Sequence, residues 1–153
     1  MLFVTFMALM IVTSCGNGAA QKAEQARLDS IARADSIKMA IADSVARVEA
    51  TIAFIKDFYN SKKFENESFL NNHCSAQVLK KLINDYEYEG GGYATWDFRS
   101  GFQDGPSERH EIISVEPLND NWYLYTFYDM GNKGSHKIRV IQKDEVFVID
   151  GIE

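Results

Sequence analysis

The amino-acid sequence predicts an α+β fold, in which N-terminal helices pack on one face of a curved antiparallel sheet and a long helical stalk precedes them. Two observations predict this class. Between residues 37 and 59, apolar residues recur at helical steps of three and four positions, and a second helical segment covers residues 68–88. After the glycines at 90–92, short runs of aromatic and β-branched residues alternate with turn residues, which is typical of strands. The 153 residues suffice for one domain and an extension.

The chain begins with an uncharged apolar run, residues 1–12. A membrane-spanning helix needs about 20 such residues, so this run is typical of the apolar part of a signal peptide instead. An aliphatic residue, two small residues and a cysteine follow one another at 12–15. This pattern resembles the bacterial lipobox. The resemblance implies a signal peptide over residues 1–14, cleavage before Cys15 and lipidation of Cys15.

Lipidation of Cys15 would anchor the protein without a transmembrane helix. Each buried methylene contributes about 0.8 kcal/mol, so two or three acyl chains such as palmitate hold a protein stably on a membrane. The alternative is a plain secretory signal with an incidental cysteine. Gly16 follows Cys15, and no acidic cluster comes after it. By resemblance to known lipoprotein sorting rules, this predicts the periplasmic face of the outer membrane.

Residues 15–50 are predicted to form the lipid anchor and a helical stalk. Neither proline nor glycine occurs between residues 19 and 58. One stripe of apolar residues runs along the predicted helix: Ile37, Ile41, Val45, Val48, Ile52, Ile55 and Tyr59. The thirty-odd residues before the globular part would span about 45 Å. We interpret the stalk as a tether and as a candidate half of a coiled coil, through which two copies could pair.

Asp-Ser followed by an aliphatic residue occurs three times in the stalk, with the serines at Ser30, Ser36 and Ser44. Aspartate and serine are mediocre helix formers because their side chains compete for backbone hydrogen bonds. The triplet resembles the O-glycosylation sequon of exported Bacteroidota proteins, which would make these serines glycosylation sites. Duplication of a polar helical spacer explains the repeat equally well, and both interpretations stay open.

Residues 51–153 are predicted to form the globular α+β domain. The stalk helix enters it, and a second helix covers residues 68–88. Gly90–Gly92 ends the helical part. Strands are predicted at five runs: 93–98, 109–118, 121–130, 135–143 and 145–152. Turns are predicted at 119–120, 131–134 and 143–145, so the last four strands form an antiparallel meander.

The element order, together with the stretches at 54–64 (FIKDFYNSKKF) and 146–152 (VFVIDGI), resembles the nuclear-transport-factor-two-like, or cystatin-like, cone fold. More narrowly, it is similar to a domain of unknown function common in Bacteroidota lipoproteins. The resemblance implies a pocket between sheet and helices. It implies no catalytic residue, because the narrower family has none established.

Charge and motifs argue against several functions. The domain holds 11 basic and 17 acidic residues, which repel a phosphate backbone, so we expect no nucleic-acid partner. We predict no catalytic residue, metal site or cofactor: His110 and His136 lack ligand spacing, and Gly90–Gly92 lacks the lysine of a phosphate loop. Cys74, the second cysteine, is predicted to be a buried core residue.

The aromatic run Trp122–Tyr128 is apolar on both faces of its strand, so its second face would line a pocket or meet a partner, including a second copy. The candidate pocket residues are Trp96, Asp97, Trp122, Tyr125 and His136. We expect a non-enzymatic module that binds a peptide, a glycan fragment or an envelope protein. The alternatives are an isomerase-like or hydrolase-like enzyme, which needs a buried carboxylate of raised pKa, and a periplasmic inhibitor or immunity protein with an acidic patch.

Overall fold

The computed structural model describes residues 17–101 and 104–153. The predicted signal peptide and Cys15 lie outside the described residues. Contacts divide the chain into two compact units with a boundary between Ser44 and Val45. The predicted boundary was six residues later in the chain. The fold class is confirmed: helices at the N-terminal side are followed by a four-stranded antiparallel sheet.

Helix α1 spans Asn17–Asn60, which confirms the predicted continuous helix. Its 44 residues correspond to a length of about 66 Å. In the first unit the apolar residues of this helix are exposed, among them Leu28 at 51% and Ile41 at 58%. In the second unit, Val48 of this helix is half-buried, and Ile55, Phe58 and Tyr59 are fully buried.

The predicted single helix over residues 68–88 was wrong, because the segment forms two helices. Helix α2 spans Glu67–His73 and helix α3 spans Ala76–Asn84. Between them, Cys74 and Ser75 are extended, and the Ser75 amide donates to the carbonyl of Ile149 at 2.9 Å. The Ser75 hydroxyl accepts from the Val78 amide and caps α3. These bonds replace the helical bonds that would have continued α2.

The predicted strand at residues 93–98 was also wrong. Thr95–Phe98 is a short 3-10 helix, preceded by a bond from the Ala94 amide to the carbonyl of Leu82 at 2.9 Å. The tight turn buries Phe98 completely and leaves Trp96 half-buried. The apolar alternation that indicated a strand therefore reflects a single helical turn.

The four later strands are confirmed as β1 (Glu111–Pro117), β2 (Trp122–Asp129), β3 (Asn132–Lys143) and β4 (Val146–Ile152), paired antiparallel in chain order. Each hairpin turns on two residues with positive φ, as two-residue type I′ turns require. The second turn lies at Met130–Gly131 rather than at 131–134, because Asp129 already pairs with Asn132. Strand β3 therefore begins three residues before its predicted start.

The core lies between the helices and one face of the sheet. Aromatic rings dominate it, and Tyr59 of α1 packs on Tyr125 and Phe127 of β2, with ring centroids 5.9 and 4.9 Å apart. Cys74 is buried as predicted, and burial raises the pKa of its thiol to about 12. Every fully buried side chain of the described chain belongs to the second unit.

Candidate functional site

Strand β2 presents two rows of side chains. The inner row, Tyr123, Tyr125, Phe127 and Asp129, is buried beneath the helices. The other row, Trp122, Leu124, Thr126 and Tyr128, is only half-buried and lies on the side of the sheet opposite the core. We call this side the outer face, and its three apolar members Trp122, Leu124 and Tyr128 the ridge. An outer face of an antiparallel sheet is ordinarily polar, so the ridge is unusual.

Charged residues of opposite sign flank the ridge. The acidic column consists of Glu111 and Glu116 on β1, and the basic column consists of Lys133, Lys137 and Arg139 on β3. The two glutamates and the two lysines are exposed, and the Arg139 side chain is 40% exposed. The outer face thus has an apolar centre, an acidic side and a basic side.

The strand register aligns the two columns across the ridge. Three rows cross the outer face: Glu111, Tyr128 and Lys133; Ser114, Thr126 and Ser135; Glu116, Leu124 and Lys137. The top and bottom rows each carry an acid, an apolar residue and a base. The middle row is small and uncharged. Glu111 and Glu116 are five residues apart, and a β-bulge between Ile112 and Ser114 brings both onto the outer face. On β2 and β3 the corresponding residues are four apart and follow the regular alternation, which a one-residue slip would destroy.

The ridge ends in a groove at Trp122. The indole lies over β4, where a Cβ added at Gly151 would come within 2.7 Å of Trp122 Cη2. The groove has a volume of about 170 Å³ and continues past the Arg139 and Asp150 side chains toward Lys81 of α3. Arg139 Nε donates to Asp150 Oδ2 at 3.0 Å. The groove is thus lined by one aromatic residue, Trp122, and by four charged residues, Lys81, Arg139, Asp150 and Glu153, beside smaller or uncharged ones.

At the other end of the ridge, Arg109 covers Tyr128. The guanidinium carbon lies 3.6 Å from the ring centroid, and Arg109 Nε donates to Glu111 Oε1 at 2.6 Å. A cation over an aromatic face contributes about 0.5–1 kcal/mol at an exposed site. Arg109 therefore contacts both Tyr128 and Glu111 and adds a positive charge at this end of the ridge.

The inner row ends in a buried ionic cluster that the sequence interpretation missed. Asp129 is fully buried; its Oδ2 accepts from Arg99 Nε at 3.0 Å and from Ser100 Oγ at 2.5 Å. Burial raises the pKa of this carboxyl, but the hydrogen bonds from Ser100 and Arg99 outweigh it and hold the pKa below its usual value. Position 129 continues the buried alternation of Tyr125 and Phe127, and that spacing was the available signal.

His110 belongs to the same cluster. Its ring stacks on Tyr59 with centroids 4.4 Å apart, Nε2 donates to the Tyr59 carbonyl at 3.0 Å, and Nδ1 lies 3.4 Å from Asp129 Oδ1. The imidazole is therefore held by core contacts. Over residues 17–101 and 104–153, histidine, cysteine, aspartate and glutamate form no group of three suited to a metal ion.

The five candidate pocket residues occupy different places. Trp96 stacks on Tyr86 with centroids 5.8 Å apart, and Asp97 forms an ion pair with Lys81. Trp122 lines the groove described above.

Tyr125 and His136 lie side by side on the inner face. The Tyr125 hydroxyl is buried and donates to the Phe98 carbonyl at 2.8 Å, and His136 Nε2 donates to the Arg99 carbonyl at 2.9 Å. Both side chains thus tie the sheet to the segment that follows the 3-10 helix.

The three candidate glycosylation serines lie on the exposed part of α1. The hydroxyls of Ser30 and Ser44 each donate to the backbone carbonyl three residues earlier, at 2.8 Å. Both serines therefore sit on a formed helix and remain accessible at its surface.

In the described part of the chain, no helix combines the length and the apolar character that crossing a bilayer requires. No protein-family model matches the sequence, and no curated protein matches it. The fold is similar to a crystal structure of a protein of unknown function from Bacteroides thetaiotaomicron VPI-5482. The TM-score is 0.57 at 20% identity, over 76% of this chain and 98% of the other. At that identity the similarity concerns the fold alone.

Proposed function

We propose that this chain is a lipid-anchored protein of the cell envelope, held at the periplasmic face of the outer membrane through Cys15. The stalk carries a non-enzymatic domain that binds another envelope protein through its outer face. One observation carries the binding proposal: the half-exposed ridge of Trp122, Leu124 and Tyr128 lies between an acidic and a basic column.

The chemistry of the outer face favours a protein partner. Tryptophan and tyrosine are enriched among the residues that dominate interface energies, and they contribute most where a polar rim excludes water around them. The acidic and basic columns form such a rim on two sides. Charges of both signs orient a partner that has complementary charges. A uniformly acidic or basic ligand would meet repulsion from one of the two columns.

The carboxylates of the domain favour binding over acid–base chemistry. A general base buried in a pocket needs a raised pKa, whereas the pKa of the buried Asp129 is lowered. Asp97 and Asp150 are each paired with a basic side chain, Lys81 and Arg139 respectively. The basic column also interrupts the acidic surface that an inhibitor of a basic enzyme would present.

Capture from native envelope extract tests the binding proposal. The chain starting at residue 16 is immobilised, and the bound proteins are identified for the unaltered chain and for Leu124→Lys. We expect a specific partner that Leu124→Lys fails to retain, because a charge in the centre of the ridge cannot be desolvated cheaply.

Ile83→Lys is the matched control for Leu124→Lys. Ile83 is an exposed apolar residue of α3, 54% accessible, and does not belong to the outer face. We expect Ile83→Lys to retain the partner. Equal capture by all three proteins would rule out the outer face as the binding surface.

Metabolic labelling tests the anchor. An alkynyl fatty acid should label the full chain in a bacterial host and should fail to label Cys15→Ala, which should also leave the membrane fraction. The reason is that Cys15 carries the thiol and, after cleavage, the amine to which acyl chains attach. Labelling of Cys15→Ala to the same extent would contradict the anchor.

We also propose that the exposed Asp-Ser triplets of the stalk carry O-linked glycans. A glycan would add bulk and protease resistance to the helical segment 20–44, whose side chains are exposed. Replacing Ser30, Ser36 and Ser44 together by alanine should increase gel mobility when the protein is made in its native host. Unchanged mobility would contradict glycosylation, and the repeat would then be explained by duplication of a polar helical spacer.

A further inference from the structure

Three aromatic rings pack on one another where the chain runs from α3 to the 3-10 helix. Tyr86 and Trp96 stack with ring centroids 5.8 Å apart and an interplanar angle of 19°. Tyr88 lies across both rings, with its centroid 5.8 Å from each and interplanar angles of 68° and 83°. Tyr88 is 60% exposed, and the other two residues are half-buried. We call these three rings the aromatic triad.

The aromatic triad lies outside the hydrophobic core. Among the described residues, the core and the side chains packed against it include none of the three rings. The aromatic contacts that the triad makes there are between its own members. Clustered apolar side chains that stay exposed on a soluble domain often mark a ligand or interaction site. The triad is therefore a candidate ligand site.

Two features hold the rings of the triad in place. Lys81 Nζ donates to Asp85 Oδ2 at 2.6 Å and also to Asp97 Oδ2, which ties together the two segments that carry the stacked rings. A Cβ added at Gly92 would come within 2.8 Å of Tyr86 Cζ, so glycine at this position leaves room for that ring. The triad is thus formed before any ligand arrives, which lowers the ordering cost of binding.

The sequence around the aromatic triad is negatively charged. Residues 84–97 contain four acidic residues and no basic one. Asp85 and Asp97 pair with the lysine of α3, whereas Glu87 and Glu89 flank Tyr88 in sequence and are exposed to solvent. The face of an aromatic ring is itself the negative pole of the ring quadrupole. Rings and carboxylates therefore both attract a cation.

We propose that the aromatic triad binds an organic cation that carries a trimethylammonium group. The three ring centroids are 5.8 Å from one another, so a cation seated over their centre lies within about 6 Å of all three rings. At that distance a ring face attracts a cation. The site contains no residue of the outer face, so the inference goes beyond the proposed function and does not depend on it.

The hydrogen-bonding capacity of the site favours a trimethylammonium group over a lysine or arginine side chain. A trimethylammonium group has no N–H donor, so it loses no hydrogen bond when ring faces replace the water around it. An ammonium or guanidinium group has several N–H donors, and ring faces do not replace their bonds to water. The carboxylates next to the stacked rings in sequence, those of Asp85 and Asp97, already accept from Lys81.

Tryptophan fluorescence of the full chain tests the site with choline as the probe. The chain has two tryptophans, so Trp122→Phe leaves Trp96 as the tryptophan that reports binding. Choline should change this fluorescence saturably. Its neutral analogue, in which a tert-butyl group replaces the trimethylammonium group, should bind at least about tenfold more weakly, because it has the same shape without the charge. Equal binding of the two compounds, or no saturable change with choline, would overturn the proposal.

Substitutions of Tyr88 in the Trp122→Phe chain test whether the triad is the binding site. Tyr88→Leu removes the ring but keeps an apolar side chain, and should weaken choline binding about fivefold. Tyr88→Phe keeps the ring and should bind choline within about twofold of the unsubstituted Tyr88 chain. Tyr128→Leu removes a half-buried tyrosine of the outer face and is the matched control, with no expected loss of affinity. Choline binding that survives Tyr88→Leu, or that is lost equally in Tyr88→Phe, would overturn the assignment.

Butylammonium separates the two kinds of cation, because it has the charge and the N–H donors of a lysine side chain. It should bind at least about tenfold more weakly than choline, since the ring faces leave its donors without acceptors. Binding as tight as that of choline would overturn the trimethylammonium assignment and would indicate a basic side chain of a partner protein instead.

Discussion

The two faces of β2 differ in what their aromatic residues contact, although their composition is similar. On the inner face, Tyr125 and Phe127 lie under α1 and reach zero or one per cent exposure. On the outer face, Trp122 and Tyr128 stay half-buried, and their cross-strand neighbours on β3 are basic. The same strand therefore contributes one row to the core and one row to the surface.

This difference shows that cross-strand neighbours, rather than the strand itself, identify the face that meets the core. The inner neighbours of β2 are mostly apolar, such as Ile138 opposite Tyr123. The outer neighbours are charged or small. Pairing is the unit of sheet stabilisation, so the assignment of each face needs the register as well as the strand sequence. Three matched pairs of substitutions test this difference between the faces.

The largest difference in stability between the two faces is expected when a leucine is replaced by alanine. Leu82→Ala removes a fully buried side chain of α3 from the core and should lower the free energy of unfolding by about 3 kcal/mol, within the 2–5 kcal/mol typical of core leucines. Leu124→Ala removes the same atoms from the outer face and should cost about 1 kcal/mol or less. Urea denaturation of both variants measures the two values. Equal losses would mean that Leu124 is covered within its own chain.

The next largest difference in stability is expected for two aspartates that each form an ion pair with an arginine. Asp129→Asn should lower the free energy of unfolding by about 3 kcal/mol at pH 7, because Arg99 loses its buried counter-ion. Asp150→Asn changes the pair with Arg139, whose side chain is 40% exposed and so keeps contact with water, and should cost less, about 1 kcal/mol.

The stabilisation that the Asp129 carboxylate gives the fold should decrease at low pH. The pKa of this carboxyl is lower in the folded than in the unfolded protein, so its stabilisation is complete above the unfolded pKa of about 4. It is lost as the pH falls through the folded pKa. The stability difference between the unaltered chain and Asp129→Asn should therefore shrink below about pH 4. A difference that stays constant down to pH 2 would contradict the ionised buried carboxylate.

Regular periodicity made much of the fold predictable. The stalk helix and the last four strands follow from apolar steps of three and four and from runs bounded by turn residues. Two errors came from bonds between segments distant in sequence. Ser75 is tied to β4 through Ile149, which interrupts the helix, and Ala94 is tied to Leu82, which starts a 3-10 turn where a strand was expected. Local pattern carries no information about such partners.

The site was predictable only in part, for the same reason. The two-sided apolar character of Trp122–Tyr128 indicated that its second face would line a pocket or meet a partner. The columns beside it depend on register, which the predicted strand boundaries did not determine. Asp129 was missed because the partners of its carboxylate, Arg99 and Ser100, are thirty and twenty-nine residues away in sequence.

The smallest difference is expected for two tyrosines three residues apart on β2. Tyr125→Phe removes a buried hydroxyl and leaves the Phe98 carbonyl without its donor, so the free energy of unfolding should fall by about 1–2 kcal/mol. Tyr128→Phe removes a hydroxyl from the outer face and keeps the ring beneath Arg109, so its stability should stay within about 0.5 kcal/mol of the unaltered chain. The comparison is clean because ring packing is conserved in both variants. Denaturation midpoints that fall equally would show that the Tyr128 hydroxyl also stabilises the fold. The two faces would then differ in the stability lost on side-chain truncation, as for the leucines, but not in the stability lost on hydroxyl removal.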